Sequence, residues 1–336
     1  MDKIALNAVA GAGKTTLIIN QLDAEKRVAI ITYTIANQES IRDAVIVKFG
    51  YIPENISIFG YFEFVYSFCY LPLQNRVKNN GICFEQPHYK NSRFYTTDGR
   101  VYSNRLAKLI MEHEFPYLER ISKYFDHVYI DEMQDLGAYD FDWMLSLSKV
   151  SSSVTLVGDF YQSTFVTSYS GNKNASIHNN FEGYQKKITD AGFFFNNNTL
   201  VTSHRCSHDI CHFISEKLTI SMSSHRDRKA DNTSISFVSD PEKIKEILGN
   251  DNIKKLFYQK HSSFKCNSSN WGASKGLTFG DVCVVLNPTT FKSFISGELH
   301  KLAPKTLSKF YVACSRPKGN LIFVEQNKIP NTYKLN

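Results

Sequence analysis

Lys14, Thr15, Asp131, Glu132 and Gln162 are the residues of this chain whose types and spacing best suit chemistry on a phosphate chain. Lys14 and Thr15 close the run Ala-Val-Ala-Gly-Ala-Gly-Lys-Thr at positions 8–15. In such a run the backbone N–H groups of Ala10, Gly11, Ala12 and Gly13 curl around a triphosphate. Lys14 reaches the β- and γ-phosphates, and the Thr15 hydroxyl ligates Mg²⁺. Thr16 follows in a helix-like stretch whose N-terminus adds partial positive charge. The apolar run Ile4-Ala5-Leu6 precedes the loop, giving the strand–loop–helix context it requires. Ala8 stands where the pattern normally has its first glycine.

A second acidic feature is Val-Tyr-Ile-Asp-Glu-Met-Gln-Asp at positions 128–135. It places carboxylates at the end of an apolar strand, where open α/β sheets bind ligands. Asp131 is suited to hold Mg²⁺, and Glu132 to orient or deprotonate an attacking water. A third strand, Leu156-Val157, ends in Gly158-Asp159, and Gln162 follows. A neutral amide at that point can hydrogen-bond a γ-phosphate or the attacking water and change partners upon hydrolysis.

Short apolar runs supply the strands that must carry these groups: Val28–Tyr33, Ile56–Phe59, His127–Ile130, Val154–Val157, Ile235–Val238, Val282–Leu286 and Leu321–Val324. Helical stretches such as Asn37–Phe49 and Phe141–Lys149 lie between them. Alternation of this kind predicts an α/β fold with mainly parallel sheets covered on both faces. Polar stretches at 168–180, 221–234 and 261–270 read as loops. A domain boundary is expected near Phe193–Asn198, dividing the chain into 1–195 and 196–336, with a small insertion at 71–120.

With these motifs in order, the chain resembles a superfamily 1 helicase, and its Asp-Glu-Met-Gln-Asp box is closest to the UvrD/Rep-like group. Thr32-Tyr33-Thr34 resembles a segment that contacts single-stranded nucleic acid. His204-Arg205-Cys206 resembles one that carries an arginine to the γ-phosphate. Ser274-Lys275-Gly276-Leu277-Thr278-Phe279 resembles the Lys-Gly-Leu-Glu-Phe motif, and Ala313-Cys314-Ser315-Arg316 the segment with the arginine finger. The resemblance implies a P-loop NTPase of two tandem RecA-like domains that hydrolyses ATP with Mg²⁺. Lys14, Glu132, Gln162, Arg205 and Arg316 would be catalytic. Ala10 to Thr16 and Gly276 would bind nucleotide, with Thr15 and Asp131 on the metal. Thr32, Tyr33, Thr34, Phe59, Tyr61, Phe165, Trp271 and Lys275 would meet nucleic acid, the aromatics by stacking on bases.

The implied activity is that of a DNA translocase or helicase acting on single-stranded DNA. The alternative is a viral-type superfamily 1 helicase whose track is RNA, since Lys275-Gly276-Leu277-Thr278-Phe279 and the phosphate loop are also similar to that group. A third reading is an ATP-gated clamp with slow hydrolysis. Departures from the UvrD-like pattern bear on detail. The glutamine motif that contacts adenine has no room before the phosphate loop. Thr278 replaces a glutamate, and Gly60 a histidine. The short interval between Arg205 and Lys275 has no room for a large accessory domain. So small a motor is expected to work with another subunit, such as a nuclease, in a phage or anti-phage setting.

The bulk composition agrees with a protein of this kind. The net charge of +7 suits a polyanionic partner. Seven scattered cysteines have no disulfide-framework spacing, which reads as a reduced, cytoplasmic protein. No leader or membrane-spanning run is visible. The cluster His204, Cys206, His208, Cys211 and His212 lacks the second ligand pair of a zinc site. It is expected to start a packed helix instead.

Overall fold

The computed structural model describes residues 2–74, 80–85, 94–228 and 231–335. These form two compact units. One comprises Met1–Asn7, Lys14–Gly158 and Val166–Asn197; the other comprises Ala8–Gly13, Asp159–Phe165 and Asn198–Asn336.

The first unit is built on β1 (Lys3–Ala8), β2 (Val28–Thr32), β3 (Ile56–Gly60), β4 (His127–Asp131) and β5 (Ser153–Gly158). With β6 (Phe194–Leu200) they form one six-stranded sheet of order β3-β2-β4-β5-β1-β6. The pairs from β3 across to β1 are parallel. Their carboxyl ends therefore share one edge, and that edge carries Tyr33, Gly60, Asp131 and Gly158. β2 is buried along its whole length, as a strand covered on both faces must be. Helices α1 (Lys14–Gln21), α2 (Ile35–Phe49), α3 (Ser103–Glu112), α4 (Tyr117–Tyr124), α5 (Ala138–Ser146) and α6 (Phe181–Asp190) complete this unit. Thr34 caps α2 by accepting the Asn37 N–H at 3.1 Å, and Gly50 closes the helix in the left-handed region.

The second unit holds α7 (His208–Leu218), β7 (Ile235–Val238), α8 (Pro241–Gly249), β8 (Ile253–Phe257), β9 (Ser268–Asn270), β10 (Asp281–Leu286), α9 (Pro288–Ile295), α10 (Pro304–Cys314) and β11 (Leu321–Glu325). Its sheet has the order β7-β11-β10-β8-β9, all pairs parallel. Ile244, Leu248, Phe257, Cys283, Val285 and Val324 form a core on it. The α/β class with mainly parallel sheets is thus the architecture observed.

Several local expectations need correction. The Phe193–Asn198 stretch, within which the two units divide at Asn197/Asn198, lies mostly on an edge strand, Phe194–Leu200, which tolerates exposed asparagines because it has a partner on one side only. β8 has no counterpart among the expected strands because Lys254 and Lys255 interrupt its apolar run. Lys255 is nonetheless fully buried, its ammonium donating to Asn250 O at 2.6 Å. The 261–270 loop contains β9. Parts of the expected insertion, 75–79 and 86–93, lie outside the described residues. Of the rest, α3 packs against α5 within the body of the unit.

The His/Cys cluster does open a packed helix. Ser207 caps α7, Cys206 and Cys211 are buried, and His208 Nε2 lies 2.8 Å from Arg226 O. Among the described residues no group of three metal-ligating side chains is gathered, and no helix is long and apolar enough to cross a membrane. All seven cysteines are free; six are buried and Cys266 is half-buried.

Candidate nucleotide and nucleic-acid sites

In the first unit, Lys14 opens α1 and its ammonium lies 3.9 Å from Glu132 Oε1. Glu132 follows β4 with φ 58°, a left-handed conformation uncommon outside glycine. The buried Asp131 steadies it, its Oδ1 accepting the Glu132 N–H at 3.0 Å, while the Gln134 amide donates to the Glu132 carboxylate. A non-glycine residue held in that region stores strain, a feature concentrated at functional sites.

Gly158 makes the turn possible. A Cβ there would lie 2.7 Å from Met133 Cγ and 3.1 Å from Met133 N, so only a bare backbone lets the Asp-Glu turn sit against the end of β5. Gly158→Ala is expected to cost roughly 1–3 kcal/mol through overpacking, measured by urea unfolding. A variant as stable as the parent would contradict the close approach.

Asp131 and Thr15 offer oxygen donors only, the chemistry Mg²⁺ prefers when phosphates and waters complete its shell.

The second unit contains the phosphate loop Ala8–Gly13 and the segment Asp159–Phe165. Gly11 has φ +75°, and a Cβ on it would fall 2.7 Å from both Arg205 Cβ and Ser203 Oγ. The Gly11 carbonyl accepts the His204 N–H at 2.9 Å, which holds the loop and the arginine segment side by side. The Tyr311 hydroxyl accepts from the Ala10 N–H at 2.8 Å and donates to Asp159 Oδ2 at 3.0 Å. Asp159 also accepts from the Gln162 amide at 2.7 Å, and Arg316 Nη2 donates to Gln162 Oε1 at 3.3 Å. Expected catalytic residues Gln162, Arg205 and Arg316 therefore stand with the glycine loop.

Among the described residues neither arginine forms an ion pair with a carboxylate, although the charge of Asp159 acts on Arg316 from beyond direct contact. Arg316 is 1 % exposed, and it donates to Val312 O, Leu277 O, Ser315 Oγ and Gln162 Oε1, all neutral. Arg205 donates to Ser315 O at 3.2 Å. Burial, together with the charge of Arg205, pulls Arg316 down to about 10 from the usual guanidinium range. Burial likewise lowers Arg205. Two buried cations with at most the charge of Asp159 against them are costly, and a further anion relieves that cost.

Tyr311 and Asp159 were not singled out from the sequence. Tyr311 lies on α10, which ends two residues before Arg316, and nothing in its residue type distinguishes it from a core tyrosine. Asp159 was visible as half of a Gly-Asp pair, but its role as a shared acceptor comes from packing.

The expected nucleic-acid residues are dispersed. Tyr33 is half-buried at the end of β2, with its ring 6.0 Å from Phe62. Burial and the charges of Asp140 and Asp135 push its hydroxyl up. Thr32 is buried and Thr34 is committed to capping α2. Phe59 is half-buried, edge-on to Phe64 at 5.2 Å. Lys275 places its ammonium 5.2 Å from the Phe165 ring centroid, bringing those two residues together. Gly276 is exposed, with φ 81°.

Tyr61 and Trp271 require correction. Tyr61 is buried against Trp143. Trp271 is fully buried, its indole N–H donating to Leu256 O at 2.8 Å. Neither ring has a face open to a base, because each is packed among other aromatic rings: Tyr61 against Trp143 and Phe62, Trp271 against Tyr258 and Phe310.

The second unit has a further concavity of about 510 Å³ at the carboxyl ends of β8, β10 and β11. Tyr258, Lys260, Phe264, Asn287, Thr289 and Gln326 line it.

The family model for the viral superfamily 1 RNA helicase core domain matches residues 95–325, a span that begins after the phosphate loop. Two solved structures share the fold. The PRRSV helicase is 15 % identical with a TM-score of 0.50, the match covering 98 % of this chain and 54 % of that one. The arterivirus nonstructural protein 10 helicase, solved in complex with DNA, is 13 % identical with a TM-score of 0.51, covering 96 % and 61 %. This chain thus spans little more than half the length of the solved helicases it matches. No curated protein matches significantly.

Proposed function

The chain belongs to the viral superfamily 1 RNA helicase core-domain family, and from that premise we propose that it is an ATP-driven motor that moves along single-stranded RNA. The observation that carries this reading is the pair of arginines, Arg205 and Arg316, two cations set beside a glycine loop and bonded, among the described residues, to neutral groups only. A triphosphate supplies the missing negative charge. In this reading the domains divide at 195/196, and the backbone of Ala10–Gly13 with Lys14, Thr16 and Gly276 receives ATP.

Thr15 and Asp131 would hold Mg²⁺, which neutralises phosphate charge. Glu132 orients and deprotonates the attacking water, and Gln162 reports the state of the γ-phosphate. Arg316 stabilises charge that develops during transfer, with Arg205 beside it. Arginine suits both positions because it stays charged even when burial lowers its pKa. RNA would pass Tyr33, Phe59 and Thr34 on the first unit. On the second it would pass Phe165, Lys275 and the concavity holding Tyr258 and Lys260.

The family match favours this viral branch over the UvrD/Rep-like one suggested by Asp-Glu-Met-Gln-Asp. The arterivirus relative was solved with DNA, so DNA remains the second track to test. Steady-state ATP hydrolysis should be measured with no nucleic acid and with single-stranded RNA or DNA of equal length. RNA is expected to raise turnover by about an order of magnitude, a coupling within the ordinary allosteric range. Preferential stimulation by DNA would instead return the DNA-translocase reading. Turnover near background with either strand would leave only a clamp.

A further inference from the structure

Asp140 is a buried carboxylate that the nucleotide chemistry does not use. It lies in the first turn of α5, 1 % exposed, nine residues beyond Asp131. Two pieces of chain meet at it. Thr167 Oγ1 donates to Asp140 Oδ2 at 2.5 Å and accepts the Gly137 N–H at 3.3 Å. The Thr167 N–H donates to Asp135 O at 2.8 Å, and Ser168 Oγ to Gly137 O at 3.2 Å. Gly137 permits this contact, since a Cβ there would fall 2.9 Å from both Ser168 O and Val166 Cβ. Residues 166–168 are therefore strapped to the segment that runs from the Asp-Glu box into α5.

The other piece is the end of β3. The Tyr61 hydroxyl faces the Asp140 carboxyl, and among the described residues neither Tyr61 Oη nor Asp140 Oδ1 meets a group at full hydrogen-bond geometry. An under-satisfied buried pair of this kind carries a desolvation penalty that closing the hydrogen bond between them relieves, so the pair has two arrangements of different energy. The Tyr61 ring also lies 5.1 Å from that of Phe62, which in turn packs 6.0 Å from Tyr33. Burial pushes the Asp140 carboxyl up to about 6, while the hydroxyls of Thr167, Ser168 and Tyr61 pull it back. Its charge at neutral pH thus depends on those hydroxyls staying in place.

We propose that Asp140 is a positioning residue that ties the strand edge bearing Tyr33 and Phe62 to the chain segment following Gln162. RNA binding and ATP hydrolysis then communicate through one buried carboxylate. A strand seated on Tyr33 and Phe62 shifts Tyr61, Asp140 follows, and the Thr167 strap transmits the change toward Gln162, five residues earlier in the chain. The inference rests on the RNA-motor reading.

Asp140→Asn and Thr167→Val test it, each scored for unfolding temperature, RNA affinity without nucleotide, basal ATPase and RNA-stimulated ATPase. Both variants are expected to keep basal turnover and RNA affinity near the parent's values. The ratio of stimulated to basal turnover should fall about fivefold or more, the low end of ordinary coupling. The double variant should be no worse than either single one, because both cut the same linkage. A folded variant with an unchanged ratio would overturn the proposal, as would equal losses in basal and stimulated rates. Should Asp140→Asn fail to fold, Thr167→Val carries the same comparison. An unstimulated parent would instead refute the RNA-motor reading, and this inference with it.

Discussion

Arg316→Ala is expected to bind ATP nearly as well as the parent and to hydrolyse it about 10³–10⁵ times more slowly, the range associated with an arginine finger. The prediction follows from how the guanidinium is held. Val312 O, Leu277 O, Ser315 Oγ and Gln162 Oε1 fix it in place without cancelling its charge. Such a group is preorganised to meet negative charge that grows during the reaction, so its loss appears mainly in kcat. Equilibrium nucleotide binding and single-turnover hydrolysis, measured side by side, separate the two effects. Arg316→Lys guards against a folding artefact: it keeps a charge but loses the planar fork, and should stay well below the parent's rate. Normal turnover in Arg316→Ala would remove Arg316 from the chemistry, and normal turnover in Arg316→Lys alone would mean that its charge suffices without the planar fork.

Glu132→Gln is the second large effect. The substitution preserves size and leaves the left-handed backbone at φ 58° available, but removes the proton acceptor. Hydrolysis should fall by about 10²–10⁴-fold, the usual contribution of a general base, while ATP is retained. Lys14, whose ammonium now lies 3.9 Å from the carboxylate, loses that charge and keeps its reach to the phosphates. Affinity for ATP is therefore expected to hold or rise. If ATP binding were lost along with turnover, Glu132 would be acting by holding Lys14 in place and not on water.

The strands that end in motifs were legible because each couples an unbroken apolar run to residues that only a turn accepts. β1, β4 and β5 are of this type, and the parallel α/β class followed from their alternation with helices. β8 was not legible, since Lys255 hides its charge against Asn250 O, a partner five residues back that no periodicity reveals. Aromatic type did not separate base platforms from core. Tyr61 and Trp271 fill interiors, while Tyr33 keeps part of its ring at the strand edge. Tyr311 was invisible for a related reason. Its hydroxyl bridges Ala10 N and Asp159 across sequence separations of 301 and 152 residues, and such bridges exist only after folding.

The state of the thiols has a use that does not depend on catalysis. Cys266, the one cysteine that is not fully buried, packs against the core formed by Phe257, Cys283 and their neighbours. Burial raises its thiol pKa, which keeps the reactive thiolate a minor species near neutral pH. Alkylation at this sulfur is accordingly expected before that of the six buried thiols, whose labelling has to wait for local opening and so records how often their surroundings loosen.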